Sequence, residues 1–205
     1  MSAADRRAST RLWPVAERAL ISGGAGAVVG AVWGVLIGGV GGRVAMRLVF
    51  LTSDDRVRGI TSDDGFEIGR VTGATIFLLF FTALLGAIGG AVFGVLRLGW
   101  AGPPWALATG AAAAAGAAVG GSIVHPTGID FVFLEPLWLT VGLFVTLPAA
   151  WGAAVVATVE SGHSFTADLP RRPTRWERGL VGWTVVVGMT TWGVVELIDD
   201  IRQLR

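Results

Sequence analysis

The chain has 205 residues, of which 53% are hydrophobic and only 15% are charged, with a net charge of +1. Soluble domains carry about 25% charged residues, so this composition points to a membrane. Cysteine and lysine are both absent, which excludes disulfides, thiolate metal sites, cysteine nucleophiles and Schiff bases on lysine. The sequence contains no phosphate loop, nucleophile elbow, two-histidine zinc motif or dinucleotide fingerprint, and we expect no cofactor.

Five apolar tracts are long enough to cross about 30 Å of hydrocarbon as helices. They predict an all-α, polytopic transmembrane helical bundle that forms one integral membrane domain over residues 1–205. The spans are expected at 19–42, 71–96, 105–124, 136–159 and 179–195. The first tract is longer than the apolar part of a signal peptide, which has about 7–15 residues, so we interpret it as a retained anchor. The main competing topology replaces the alanine-rich third span with a re-entrant hairpin.

Glycine recurs at every fourth position of the first span, and shorter series of small residues follow in the second and third. In water, a glycine inside a helix costs roughly 0.5–1 kcal/mol relative to alanine. In lipid, small residues spaced four apart let helix backbones approach closely. The pattern predicts glycine-ladder packing, either of these three helices on one another or against a second copy in a homo-oligomer. The glycines are Gly26, Gly30, Gly34, Gly38, Gly42, Gly86, Gly90, Gly94, Gly116 and Gly120.

The distribution of arginine predicts the orientation. With the N-terminus inside, nine arginines lie on the inner side and seven on the outer side. The positive-inside rule therefore favours an inner N-terminus and an outer C-terminus in a bacterial-type plasma membrane. The inner cluster of arginines at 171–178 is expected to contact anionic lipid headgroups. We expect the lipid bilayer as partner, leave a homo-oligomer or a larger membrane complex open, and expect no nucleic acid.

Charged residues near the outer ends of the spans are candidates for a polar site. Arg43 and Arg47 are four apart and share a helix face just beyond the first span. They form either a belt of interfacial ion pairs, a clamp for an anion or lipid headgroup, or one wall of a permeation path. Glu196, at the end of the fifth span, is the best intramembrane carboxylate, either paired with one of these arginines or titrating during ion movement. Glu67 precedes the second span as part of a capping pattern.

Two further features lie near the fourth span. His125, Asp130 and Glu135 could bind a divalent ion, but their five-residue spacing matches no established ligand pattern, so we predict no metal site and prefer an interfacial loop. Pro148, inside the span, is predicted to kink the helix and free a backbone carbonyl.

These patterns lead to three functional hypotheses. The first is a small, non-enzymatic channel or transporter-like protein that uses the outer arginine and glutamate groups. The second is a structural or accessory subunit that packs against a larger membrane complex through its glycine ladders. The third is a membrane enzyme that acts on lipid through His125, Asp130 or Glu135, although no residue is assigned as catalytic.

Overall fold

The computed structural model describes residues 3–53, 73–125, 131, 135–161, 169 and 176–204. The regular elements of this part are all helical. They are α1 (Ala3–Trp33), a π-helical segment (Gly34–Gly41), α2 (Gly42–Thr52), α3 (Ala74–Leu96), α4 (Pro104–Ile123), α5 (Leu137–Glu160) and α6 (Trp176–Gln203). Five helical stretches are long and apolar enough to cross a bilayer: Val15–Thr52, Thr75–Leu96, Pro104–Ile123, Leu137–Glu160 and Gly179–Gln203. The prediction of an all-helical chain with about five candidate spans is confirmed for these residues.

The span boundaries differ from the predicted ones mainly at the first and fifth spans. The first span does not stop at residue 42, because α1, the π-helical segment and α2 follow one another without a break to Thr52. The fifth continues past Glu196 to Gln203, so Glu196 lies about two turns before the end of the helix. α4 is an uninterrupted helix of 20 residues, which does not fit the competing hairpin.

The helices form two groups. In the first group, α1 and the π-helical segment pack extensively on α3. In the second group, α4 packs on both α5 and α6. The two groups meet mainly where α5 lies against α1, the π-helical segment and α2, and these contacts are less extensive.

The backbones of α1 and α3 approach closely at glycines. A Cβ atom added to Gly26 would lie 2.1 Å from the carbonyl oxygen of Gly90, and one added to Gly30 would lie equally close to that of Gly86. A larger residue at these positions would force the two helices apart. No described atom lies within 4 Å of a Cβ added at Gly42, so the close approach ends before the last glycine of the series.

The π-helical segment keeps the glycine face turned towards α3. Residues spaced four apart advance about 40° per step around an α-helix, whereas the i to i+5 bonds of a π-helix give a wider turn that holds more residues. Within this segment a Cβ added to Gly38 would lie 3.2 Å from Thr82 Cβ, and one added to Gly39 would lie 2.5 Å from Leu79 Cδ2. The sequence analysis did not predict this change of helix type.

The third series of small residues faces a different partner from the one expected. Cβ atoms added to Gly116 and Gly120 would lie 3.0 Å from the carbonyl oxygen and 2.8 Å from Cγ2 of Val145, respectively. This part of α4 therefore lies against α5, and the idea that the first three spans pack on one another is wrong for the third. On another face of α4, a Cβ added to Gly193 of α6 would lie 2.3 Å from the carbonyl oxygen of Ala117.

Two tryptophans join α5 to α1. The indole N–H of Trp151 donates a hydrogen bond to the carbonyl oxygen of Gly30 at 3.0 Å, and the indole N–H of Trp33 donates one to Thr158 Oγ1 at 2.9 Å. α5 continues through Pro148, whose ring removes one ladder hydrogen bond. The kink at this proline stays a prediction.

Candidate functional site

Two polar sites lie at opposite ends of the helices. The Arg97 end is where α3 and α5 finish and where α4 and α6 begin, and the Glu196 end is where α2, α4 and α6 finish and α5 begins. α4 alone rises about 30 Å between them at 1.5 Å per residue. Under the predicted orientation, the Arg97 end would face the inner side.

A buried ion pair occupies the Arg97 end. The Nε atom of Arg97 lies 3.2 Å from Oε1 of Glu160, and the two side chains are only 7% and 12% exposed. Nη1 of Arg97 also donates to Ser22 Oγ at 3.5 Å, and this buried hydroxyl donates in turn to the carbonyl oxygen of Gly94. The cluster therefore ties together α1, α3 and α5, and its ion pair joins the two helix groups.

The two helix ends favour Arg97 at this place and disfavour Glu160. Arg97 is the C-cap of α3, where a cation interacts favourably with the negative end of the helix dipole. Glu160 is the last residue of α5, where an anion is unfavourable and the guanidinium offsets the cost. Burial lowers the pKa of Arg97, one residue beyond the candidate span, from its usual value, but a guanidinium remains protonated in proteins.

An open cavity of about 460 Å³ lies along one side of α6 at the Glu196 end, and every described residue that lines it belongs to this one helix. Its lining consists of Trp192, Val195, Glu196, Ile198, Asp199 and Arg202. Oε2 of Glu196 is buried and makes no hydrogen bond within the described part of the chain. Asp199 is partly engaged, because its Oδ2 accepts a hydrogen bond from Gln203 at 3.2 Å.

Within the described part of the chain, Oε2 of Glu196 makes none of the predicted contacts with Arg43 or Arg47. Both arginines lie on α2, where Arg43 is half-buried and Arg47 is exposed with its guanidinium carbon 5.3 Å from the centre of the Phe50 ring. Neither lines the Glu196 cavity. The reason is the arrangement of the helices, since α2 contacts α5 whereas α6 packs on α4.

The remaining candidates do not form one site. Glu135 has an exposed side chain, but its backbone joins α2 to α5, because its N–H donates to Ser53 Oγ at 3.0 Å. The ring of His125 stands edge-on to Phe131 with 6.3 Å between the ring centres. Glu67 and Asp130 lie outside the described residues. Within the described ranges, no three His, Asp or Glu residues stand close enough to hold a metal ion.

The sequence analysis missed the ion pair at the Arg97 end. Arg97 was one of the nine arginines assigned to the inner side, and Glu160 was not among the candidate residues. The available signal was the occurrence of opposite charges at the ends of the second and fourth spans, on the same predicted side. That signal places both groups at one depth, but only the packing of α5 near α3 brings them into contact.

Comparisons with protein-family models, with curated proteins and with solved structures find no match for this chain. The class of protein to which the chain belongs is therefore inferred from its helices. Five apolar helices of spanning length, with their backbone hydrogen bonds satisfied within each helix, are typical of a polytopic membrane protein.

Proposed function

We propose that the protein is a small channel or transporter-like membrane protein in which the Arg97–Glu160 pair closes one end of a polar pathway. The observation that carries the proposal is this buried pair between the two helix groups. Apolar residues often stabilise a protein interior as well as a buried ion pair does. A charged pair buried between helix groups, here at the ends of two spans, is instead a feature that pathways and switches use.

The position of the pair suits a gate. Separating Arg97 from Glu160 would release the end of α5 from α3 and, through Ser22, from α1. Rocking of one group of helices against another is a common way to alternate access to a site within a membrane. At the opposite end, Glu196 supplies a second charged position, about one bilayer thickness away.

The glycine series fits a role in keeping the first group rigid. We infer that the close approach at Gly26 and Gly30 holds α1 and α3 as one unit during such a movement. The indole hydrogen bonds of Trp33 and Trp151 then lie at the boundary that has to adjust. The proposal includes the N-terminus on the inner side, which places the Arg97–Glu160 pair at the cytoplasmic face.

Flux measurements on purified protein in liposomes test the proposal. The panel contains protons, sodium, potassium, chloride and small organic amines, and the variants are Arg97→Glu, Glu160→Arg and the double exchange. Each single variant is expected to change the flux about 5-fold or more, as for a switch biased by 1–3 kcal/mol. The double exchange should return it towards the wild-type value.

The control for these measurements is Glu17→Gln, which neutralises an exposed acid on α1 and should leave the flux unchanged. If folded wild-type protein moves no member of the panel, the proposal is wrong. Equal flux in the wild type and in both single variants would also contradict it.

A structural or accessory subunit is the second candidate. The observation in its favour is the small buried share of two helices. In the most apolar 18-residue stretch of α3, and likewise in that of α6, only 17% is buried within the chain. Wide faces of both helices are therefore left for lipid or another membrane protein. Its docking faces would not include Gly26, Gly30, Gly86 and Gly90, because α1 and α3 already occupy that space. This role predicts no flux in the wild type, and a loss of stability as the sole effect of breaking the Arg97–Glu160 pair.

A further inference from the structure

We propose that α6 binds α6 of a second copy of this chain, so that the protein forms a parallel dimer with two-fold symmetry. The surface involved, which we call the α6 seam, is an exposed face of the helix. Its residues are Val181, Thr184, Gly188, Thr191, Val195, Ile198 and Arg202. The proposal does not rest on transport, because α6 takes no part in the Arg97–Glu160 cluster.

The spacing of the α6 seam is that of a coiled coil. From Val181 to Arg202 the intervals between its residues alternate between three and four. This heptad spacing keeps one face of each helix against its partner in a left-handed supercoil. The seam rises about 32 Å at 1.5 Å per residue, so it extends across the whole hydrocarbon layer of about 30 Å.

The fold of a single copy uses other faces of α6. A Cβ atom added to Gly182 would lie 2.5 Å from Trp100 Cβ, and one added to Gly193 would lie 2.3 Å from the carbonyl oxygen of Ala117. On the seam, by contrast, no described atom lies within 4 Å of a Cβ added to Gly188. Packing within the described chain therefore gives no reason for a small residue at this position, whereas a neighbouring helix does.

The composition of the seam differs from that of an exposed face elsewhere in the chain. The exposed face of α3 carries large apolar side chains such as those of Phe80 and Leu84, which suit lipid. The middle of the seam carries Thr184, Gly188 and Thr191, and small residues and threonine favour close contact and hydrogen bonds between membrane helices. A methyl group still fits between helices about 8–10 Å apart, so the seam requires a small residue at 188 and not glycine alone.

Charges at the C-terminal end of the seam favour a second copy as the partner. Copies inserted in the same orientation have parallel α6 helices, and two-fold symmetry brings Asp199 of each near Arg202 of the other. Side chains on a helix lean towards its N-terminus, which directs the guanidinium of Arg202 back over the roughly 4.5 Å of axial rise between the two residues. Both side chains are exposed. The dimer therefore forms two equivalent ion pairs.

Cysteine cross-linking tests the proposal, because the chain has no cysteine of its own. Single cysteines replace Thr184, Thr191 or Val195 on the seam, and Met189→Cys and Val194→Cys are controls at exposed residues of other α6 faces. Oxidation in membranes of cells that express the protein should link the seam variants about 10-fold more than the controls, since a disulfide needs Cα atoms within about 7 Å.

Exchange of the charges tests the parallel arrangement. The chain has no lysine, so an amine-reactive dye labels its N-terminus, and energy transfer between donor and acceptor copies in phosphatidylcholine liposomes measures association. Asp199→Arg should weaken association about 5- to 30-fold, as expected for the loss of two exposed ion pairs. Asp199→Arg combined with Arg202→Asp should restore it. The control is Asp200→Arg, which makes the same change of charge outside the seam and should associate like the wild type.

Several results would overturn the proposal. They are cross-linking that is equal at seam and control positions, a cross-linked product with a mass other than that of the dimer, and wild-type copies that show no energy transfer in liposomes. Association that Asp199→Arg leaves unchanged would overturn the ion pairs and the parallel arrangement with them. A cross-linked dimer without flux of any solute would support the seam and contradict transport, so the two proposals fail separately.

Discussion

The indole Nε1 of Trp151 donates a hydrogen bond to the carbonyl oxygen of Gly30 at 3.0 Å, four residues before the π-helical segment begins at Gly34. In an α-helix this carbonyl would accept from the N–H of Gly34. A side chain that enters the hydrogen-bond ladder is a known cause of local helix distortion. We therefore attribute the start of the π-helical segment in part to Trp151.

Replacing the indole should weaken the boundary between the helix groups. Trp151→Phe keeps a ring beside Gly89, whose added Cβ would lie 2.6 Å from Trp151 Cη2, but removes the donor. We expect a loss of about 1 kcal/mol in the free energy of unfolding and altered amide exchange at 34–38, measured by denaturation in mixed micelles and by hydrogen exchange. Trp105→Phe, at an exposed residue, should change neither. Unchanged amide exchange at 34–38 in Trp151→Phe would show that the indole hydrogen bond does not cause the π-helical segment.

Alanine at the closest glycines should push α1 and α3 apart. Gly30→Ala places a methyl group where a Cβ would lie 2.1 Å from the carbonyl oxygen of Gly86. We expect a loss of about 1–3 kcal/mol, typical of overpacking, measured as a lower melting temperature in detergent. The controls are Gly142→Ala and Gly188→Ala, which have no atom within 4 Å of the new Cβ and should be neutral or slightly stabilising. Equal melting of all three variants would refute close packing at Gly30.

Removing one partner of the buried pair should cost more than removing both. Glu160→Gln leaves Arg97 buried beside a neutral group, and the expected loss is about 3–5 kcal/mol. The double change Arg97→Met with Glu160→Leu should recover most of that loss, because it leaves no buried charge. Chemical denaturation of the three proteins measures the difference. A double variant less stable than Glu160→Gln would mean that the pair itself stabilises the fold.

Two hydroxyls, those of Thr52 and Ser53, join the end of α2 to Glu135 before α5. Ser53 Oγ accepts from the N–H of Glu135 at 3.0 Å, and its single proton is shared between the carbonyl oxygens of Val49 at 2.8 Å and Glu135 at 3.0 Å. Ser53→Ala should lower the free energy of unfolding by about 1 kcal/mol, measured by denaturation in detergent. Ser122→Ala serves as the control, because Ser122 is exposed and its hydroxyl donates to the carbonyl oxygen of Val119 in its own helix. Equal effects of the two changes would show that the Ser53 hydroxyl contributes nothing to the stability of the junction.

Sequence reasoning located several groups correctly along the chain but could not give their contacts. It placed Glu196 near the end of the fifth span, and the structure confirms that this span is helical there. It paired this residue with arginines of α2, although α6 packs on α4 and leaves Oε2 of Glu196 without a partner in the described chain. Depth in the membrane follows from counting residues, whereas the neighbour on each face of a helix does not.

The helical, apolar character of this protein was determined by its sequence alone. Long uncharged tracts can satisfy their backbone hydrogen bonds in lipid only as helices, so their length and polarity suffice to locate five of them. The pairing of Arg97 with Glu160 and the π-helical turns at Gly34–Gly41 were decided by the tertiary structure. Each depends on which helix faces lie together, and that choice depends on packing between residues far apart in the chain.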